Sequence, residues 1–196
     1  LGNLRFILCC LMQLHGFLRA SDLLKIQRLH VALKEDHLSL YLSHSKTDKL
    51  HRGFTLLINA NSENSLFCPV FYLKEYLKRS GMMPLSEMYL FRRIVNVKGK
   101  SENLSKQNIP LSYSCLRAIL LEKLRNLGYD EKKYGTHSFR CGGATLCYNQ
   151  EIEMDLIKHQ GMWRSEAVQS YLKRDQNQRL IASRCINKQM NIKFKS

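Results

Sequence analysis

The sequence predicts an α+β fold: a mainly α-helical domain with one small antiparallel three-stranded sheet near residues 30–58. Three observations predict it. Apolar residues recur at helical spacing at the start of the chain, at Leu4, Ile7, Leu8, Leu11, Leu14 and Leu18. Strand-type alternation is concentrated in one short region around Leu38 to Ser43. And 196 residues, 44% of them hydrophobic and without internal repeats, suit one domain with a core of its own.

In chain order, the first helix covers about residues 4–18, with Gly16 weakening its end. Ser21 is placed to cap a second helix from Asp22 to Leu29 that turns Leu23, Leu24 and Ile26 inward. Arg19 falls between these helices, in apolar surroundings where a charge needs a partner. Two readings stand: a structural pair with Asp22, or a guanidinium held by its neighbours and aimed at a ligand phosphate. His30 to Leu33, the polar turn Lys34 to Asp36, and Leu38 to Ser43 read as a hairpin. A basic turn, Ser45-Lys46-Thr47-Asp48-Lys49-Leu50-His51-Arg52-Gly53, leads to a third strand, Phe54 to Ile58. A lysine-rich tip between strands can reach a nucleic-acid groove, and it can equally be a solvated turn.

Cys68-Pro69 marks a helix start, because proline is tolerated in the first turn, and that helix runs to about Lys78. Gly81 to Pro84 is a turn, Tyr89 to Phe91 a short apolar strand or loop, and the polar run Val97 to Gln107 an exposed loop. Ser112 or Ser114 caps a helix to about Leu127 with Leu116, Ile119, Leu120 and Leu124 on one stripe, ended by Gly128.

Formal net charge is +15, a balance that favours a polyanionic partner such as nucleic acid. Seven cysteines, an odd number with no CxxC, read as reduced thiols in an intracellular protein. The apolar run Phe6 to Leu14 is too short to span a bilayer, so no membrane partner is expected. A chain that opens at Leu1, already inside a helical pattern, reads as an excised domain.

Chemistry concentrates between Thr136 and Tyr171. His137 and Arg140 lie three apart, Trp163 adds an indole N–H, and Tyr171 adds a phenol. Arginine presents a planar fork matched to phosphate oxygens, histidine and tryptophan donate, and a phenol can be a nucleophile. His137, Cys141 and Cys147 raise a zinc reading, but a structural zinc needs four ligands and no good fourth is near. No metal, nucleotide or small-molecule substrate is expected.

Four stretches resemble boxes of the tyrosine recombinase (phage integrase) family. His137-x-x-Arg140 followed by Gly142-Gly143-Ala144-Thr145 resembles its HxxR box. Gly161-x-Trp163-x-Ser165-x-Ala167 leading to Tyr171 resembles its nucleophile box. Leu18-Arg19-Ala20-Ser21-Asp22-Leu23-Leu24 resembles its first arginine box, with Asp22 where glutamate is usual, and Lys46 sits on a turn where the family carries a catalytic lysine. All four occur in the family's order over about residues 4–175. Trp163 stands where many members have histidine, and the Trp-x-Ser-x-Ala form is most similar to recombinases of eukaryotic mobile elements. Tyr171 follows Trp163 by eight residues, against nine in many bacterial members; the other nearby tyrosine, Tyr148, precedes the box.

The resemblance implies a site-specific DNA recombinase or integrase catalytic domain over residues 1–175, with a basic tail or helix at 176–196 as a subunit contact. It implies Tyr171 as nucleophile toward double-stranded DNA, Arg19 and Arg140 as phosphate clamps, His137 for proton transfer, Lys46 for the leaving oxygen and Trp163 as a phosphate donor. Lys49, Arg52 and Arg164 are expected to contact DNA, and Lys49, which shares the turn, is the alternative to Lys46 as the catalytic lysine. A homo-tetramer on DNA and, in a eukaryotic host, a nuclear location complete the expectation. Alternatives are an inactive DNA-binding module of the same fold and a type IB topoisomerase-like relaxing enzyme.

Overall fold

A computed structural model describes residues 1–43, 53–96 and 102–173, together with 180, 183, 184 and 186. Its axis is α1, Gly2–His15, which buries Leu8, Cys9, Leu11 and Met12 and lies against both α3 and α5. Arg5 is buried on this helix, and its guanidinium donates to the Arg92 carbonyl. Gly16 caps the helix, its amide donating to Met12 O at 3.0 Å, and a Cβ there would crowd Leu56 Cδ2 at 2.7 Å and Ile58 Cδ1 at 2.9 Å where the sheet packs against the helix end.

The predicted helix from Asp22 to Leu29 is shorter than expected. α2 covers only Ala20–Leu23, with Arg19 and not Ser21 at its N-cap, and a 3₁₀ turn follows at Arg28–His30. The amides that would continue the helix are taken elsewhere: Arg28 N–H donates to Met88 O and Leu29 N–H to Ser86 O. Gln27 pairs as an isolated bridge with Tyr89. Tertiary pairing thus overrides a helical pattern whose propensity advantage is only tenths of a kcal/mol per residue, about 0–0.7.

The three-stranded antiparallel sheet is present, in the order β1 (Val31–Leu33), β2 (His37–Leu42), β3 (Phe54–Asn59). Leu40 lies opposite both Val31 and Leu56, and Leu38 opposite Leu33 and Ile58. Leu38, Leu40, Leu42, Leu56 and Ile58 therefore share the buried face. The basic turn with Lys46, Lys49 and Arg52 falls outside the described residues.

α3, Pro69–Ser80, starts where Cys68 Sγ accepts from Phe71 N–H and ends at Gly81 in the left-handed region, φ 65°. Leu90 and Phe91 are fully buried, and Leu90 O accepts from the buried Tyr76 phenol at 2.9 Å. Part of the predicted exposed loop is a strand: β4 (Ile94–Val95) pairs with β5 (Asn103–Leu104), and Leu104 leans on the core. Two-residue strands leave no period to read. Ser112 supplies the cap of α4, Tyr113–Asn126, accepting from Cys115 N–H at 3.2 Å. On its stripe Leu116 and Leu120 are buried, while Ile119 and Leu124 are half-buried.

Candidate active site

Two further helices, α5 (His137–Asn149) and α6 (Met154–Gln160), and a 3₁₀ turn at Glu166–Tyr171 close over the end of α1. α5 meets α1 at glycine: a Cβ on Gly143 would overlap Leu14 O and lie 2.7 Å from the Phe17 ring. Gln160, the last residue of α6, fixes the other side by donating to His15 O at 3.0 Å and Leu57 O at 3.2 Å. Phe17, Ala144, Ile157, Trp163 and Val168 form a second buried apolar cluster beneath the site, against which Tyr171 and Leu172 rest.

Arg140 is the centre of this arrangement. It has no exposed surface, and its guanidinium donates to the carbonyls of Phe17 and of Gly161, the latter at 2.8 Å. Both acceptors are presented by unusual backbone: Phe17 sits at φ 46° and Met162, just after Gly161, at φ 55°. For bulky side chains each such conformation costs about 1–3 kcal/mol and persists only when the surroundings impose it. The guanidinium carbon lies 3.9 Å from the centroid of the Trp163 ring, a cation–π contact. Trp163 can reach this position because residue 161 is glycine; a Cβ there would overlap the indole Cζ3.

The remaining groups gather on Arg140. The Tyr171 ring centroid is 4.9 Å from that of His137, 5.2 Å from that of Trp163 and 5.6 Å from the Arg140 guanidinium carbon. Trp163 is buried, and its indole N–H has no hydrogen-bond partner. Arg19 is mostly buried and reaches Asp22 Oδ2 at 3.5 Å, yet its Nη1 and that carboxylate oxygen complete no hydrogen bond. Buried donors left unmet, here the Trp163 indole N–H, Arg19 Nη1 and Arg140 Nε, call for an acceptor that the described residues do not supply.

Electrostatics agrees with the geometry. Burial first, and then the nearby Arg19 charge, push Arg140 down from the usual guanidinium range to about 10, while Tyr171 and Asp22 act the other way. His137 is lowered from its usual value by burial first, then by Arg140 and Arg19, which favours the neutral imidazole. Two arginines and a histidine thus face one another with Asp22 as the counter-charge, a field that welcomes an anion.

Of the site residues read from the sequence, Arg19, His137, Arg140, Trp163 and Tyr171 come together here. Arg19 both pairs with Asp22 and acts on His137 and Arg140, so its two readings are compatible. Arg164 follows Trp163 in the exposed turn after α6. Lys46, Lys49 and Arg52 lie outside the described residues. Tyr148 rests half-buried against the second apolar cluster. Among the described residues no group of three His, Cys, Asp or Glu side chains could hold a metal, and no helix is long and apolar enough to cross a membrane. The sequence reading missed the Phe17 and Gly161 carbonyls, because a backbone acceptor has no residue type to announce it, although Gly161 was visible as a motif glycine. It also missed Gln160, and it had Thr145 only as a box residue without its contact; the partners of both are distant backbone.

No family model matches the chain. A curated relative, an integrase/recombinase XerD homolog of Selenomonas ruminantium, is 27% identical over 151 residues, covering 77% of this chain and 41% of the relative. The chain thus spans well under half the length of that relative. Among solved structures, the XerH site-specific recombinase in a post-cleavage complex with palindromic difH substrate aligns at TM-score 0.66 and 19% identity, over 93% of this chain and 45% of that one. The XerA recombinase aligns at 0.61 and 18%, over 95% of this chain and 61% of that one. The Tn1549 transposon integrase in complex with circular intermediate DNA aligns at 0.51 and 13%, over 85% and 52%. The fold is that of a tyrosine recombinase catalytic domain, and the overall resemblance to that family agrees with both comparisons, whereas the likeness to recombinases of eukaryotic mobile elements is not shown by them.

Proposed function

We propose that this chain is the catalytic part of a site-specific recombinase or integrase that cuts and rejoins double-stranded DNA through a 3′-phosphotyrosine. The observation that carries the reading is the Tyr171 ring resting on His137, Trp163 and the buried Arg140 of its own chain. The Tyr171 phenol oxygen attacks a backbone phosphorus while its proton passes to neutral His137. The P–O5′ bond breaks, and the 5′ oxygen takes a proton, a role we assign to Lys46, which lies between β2 and β3 in the sequence. The phosphoryl group is left on Tyr171, and the bond energy is kept for rejoining. Arg19 and Arg140 hold the non-bridging oxygens as charge builds, and the unpartnered indole N–H of Trp163 is a third donor.

Arg140 is suited to this because two carbonyls and an indole face fix its plane before DNA arrives, so little reorganisation is left for the transition state. The charge of +15 supplies the sequence-independent attraction to the duplex, to which Lys49, Arg52 and Arg164 contribute. Residues 1–175 form the catalytic unit and 176–196 a subunit contact in a tetramer assembled on DNA, acting inside the cell and, for a eukaryotic mobile element, in the nucleus.

The test is a trapping assay on nicked, labelled duplexes without added metal, read on a denaturing gel. A protein–DNA adduct is expected, lost in Tyr171→Phe with binding retained. An adduct undiminished in Tyr171→Phe would remove Tyr171 as the nucleophile. Relaxation of supercoils by a lone subunit would favour the topoisomerase-like alternative.

A further inference from the structure

The nucleophile's main chain is held by a side chain on α5. Thr145 lies about one and a half turns after Arg140 on the same helix, and its hydroxyl donates to the Tyr171 carbonyl at 3.1 Å. The Thr145 hydroxyl oxygen in turn accepts from Lys173 N–H at 3.3 Å. A threonine inside a helix ordinarily turns its hydroxyl back on the carbonyl four residues earlier, here that of Cys141. A hydroxyl has one proton, and here it goes to Tyr171. That carbonyl ends the 3₁₀ turn: Leu172 is extended, φ −84° and ψ 129°, so no continuing helix takes the carbonyl up.

The nucleophile segment therefore has two anchors. Val168, with no exposed surface, seats its near side in the apolar cluster over α5 and α6. Thr145 fastens the far side, spanning Tyr171 O and Lys173 N. Resting on the strand-transfer reading above, we infer that Thr145 is a positioning residue that sets where the Tyr171 phenol stands relative to His137 and Arg140. It touches neither phosphate nor proton. It acts through the backbone on which the nucleophile is carried, and it fixes the point from which the tail departs.

Thr145→Val keeps the shape and removes both hydrogen bonds; Thr145→Ser keeps the hydroxyl. The protein is assayed on a nicked suicide duplex for its rate of adduct formation. Both substitutions are also made in Tyr171→Phe protein, with hydrogen peroxide supplied as the attacking nucleophile, so that the same P–O5′ bond breaks without the phenol. Thr145→Val is expected to slow adduct formation by about 10–100-fold, the scale of a misplaced reacting group. Thr145→Ser is expected to restore most of that rate, and Thr145→Val to leave peroxide cleavage unchanged. Wild-type adduct rates in Thr145→Val, or an equal fall in peroxide cleavage, overturn the inference, the second by showing general damage to the site. Failure of both wild-type adduct formation and Tyr171→Phe peroxide cleavage overturns the strand-transfer reading, and the inference with it.

Discussion

In the proposed mechanism His137 must be neutral to take a proton from Tyr171, and its surroundings favour that state. Burial and the charges of Arg140 and Arg19 lower its proton affinity in the folded state from the ordinary value of 6.5. The sign of the linkage follows. Above the ordinary value neither folded nor unfolded chain is protonated at this site, and the environment has no effect on stability. As pH falls through it, the unfolded chain takes the proton first, so folding loses stability until the folded-state imidazole also titrates. Nuclear magnetic resonance of the free protein should show His137 titrating below the ordinary value. Acidification from about pH 7.5 should cost wild type more stability than His137→Gln, because glutamine has no proton to gain. A titration at or above the ordinary value would mean that neither burial nor the arginines act on it as described. A bound phosphate reverses the sign of the local charge, so this prediction belongs to the DNA-free protein.

At the scale of elements, adjacent glycines in α5 separate a structural requirement from a motif. A Cβ at Gly142 would meet only Leu14 Cδ1, at an ordinary 3.8 Å, whereas at Gly143 it would overlap the backbone oxygen of Leu14. Alanine gains about 1 kcal/mol over glycine in a helix interior, so Gly142→Ala should be neutral to stabilising. Gly143→Ala should lose about 1–3 kcal/mol in urea unfolding, since a main-chain oxygen fixed in α1 cannot move aside without carrying Phe17 with it. Equal stability of the two variants would remove the α1–α5 contact as the reason for Gly143. The same contrast explains what the sequence disclosed. The long helix α1, the sheet and α4 each repeat a period several times and were legible. The residues after Asp22 carry a helical pattern too, but their amides pair with Ser86 and Met88, sixty residues away, and no local pattern records that. The site residues that touch one another through side chains were legible as a set of phosphate-handling types. The carbonyls that aim Arg140 and the hydroxyl that tethers Tyr171 were not, because their partners are set only by the fold.

For the whole molecule, the strand-transfer proposal raises the question of which subunit's tyrosine would serve which subunit's phosphate. A reaction of that kind joins two duplexes, and a nucleophile could be lent by one protomer to another. Here Tyr171 is seated in its own chain by Val168, by Thr145, and by ring contacts to His137 and Trp163. Lending it would require breaking both backbone tethers and exposing Val168, whose burial alone contributes about 1.5–3 kcal/mol. The arrangement therefore predicts cleavage within one subunit. Mixing Arg140→Ala protein, which keeps its tyrosine, with Tyr171→Phe protein, which keeps its pocket, should yield no adduct beyond the sum of the two alone. A tyrosine delivered between subunits would instead make the mixture active, with the label on the Arg140→Ala polypeptide. Both proteins keep the +15 background that draws them to DNA, apart from the one guanidinium removed, so shared occupancy of a duplex can be confirmed by mobility shift before the adducts are read. Activity in the mixture would sink the within-subunit assignment while leaving the phosphotyrosine chemistry intact.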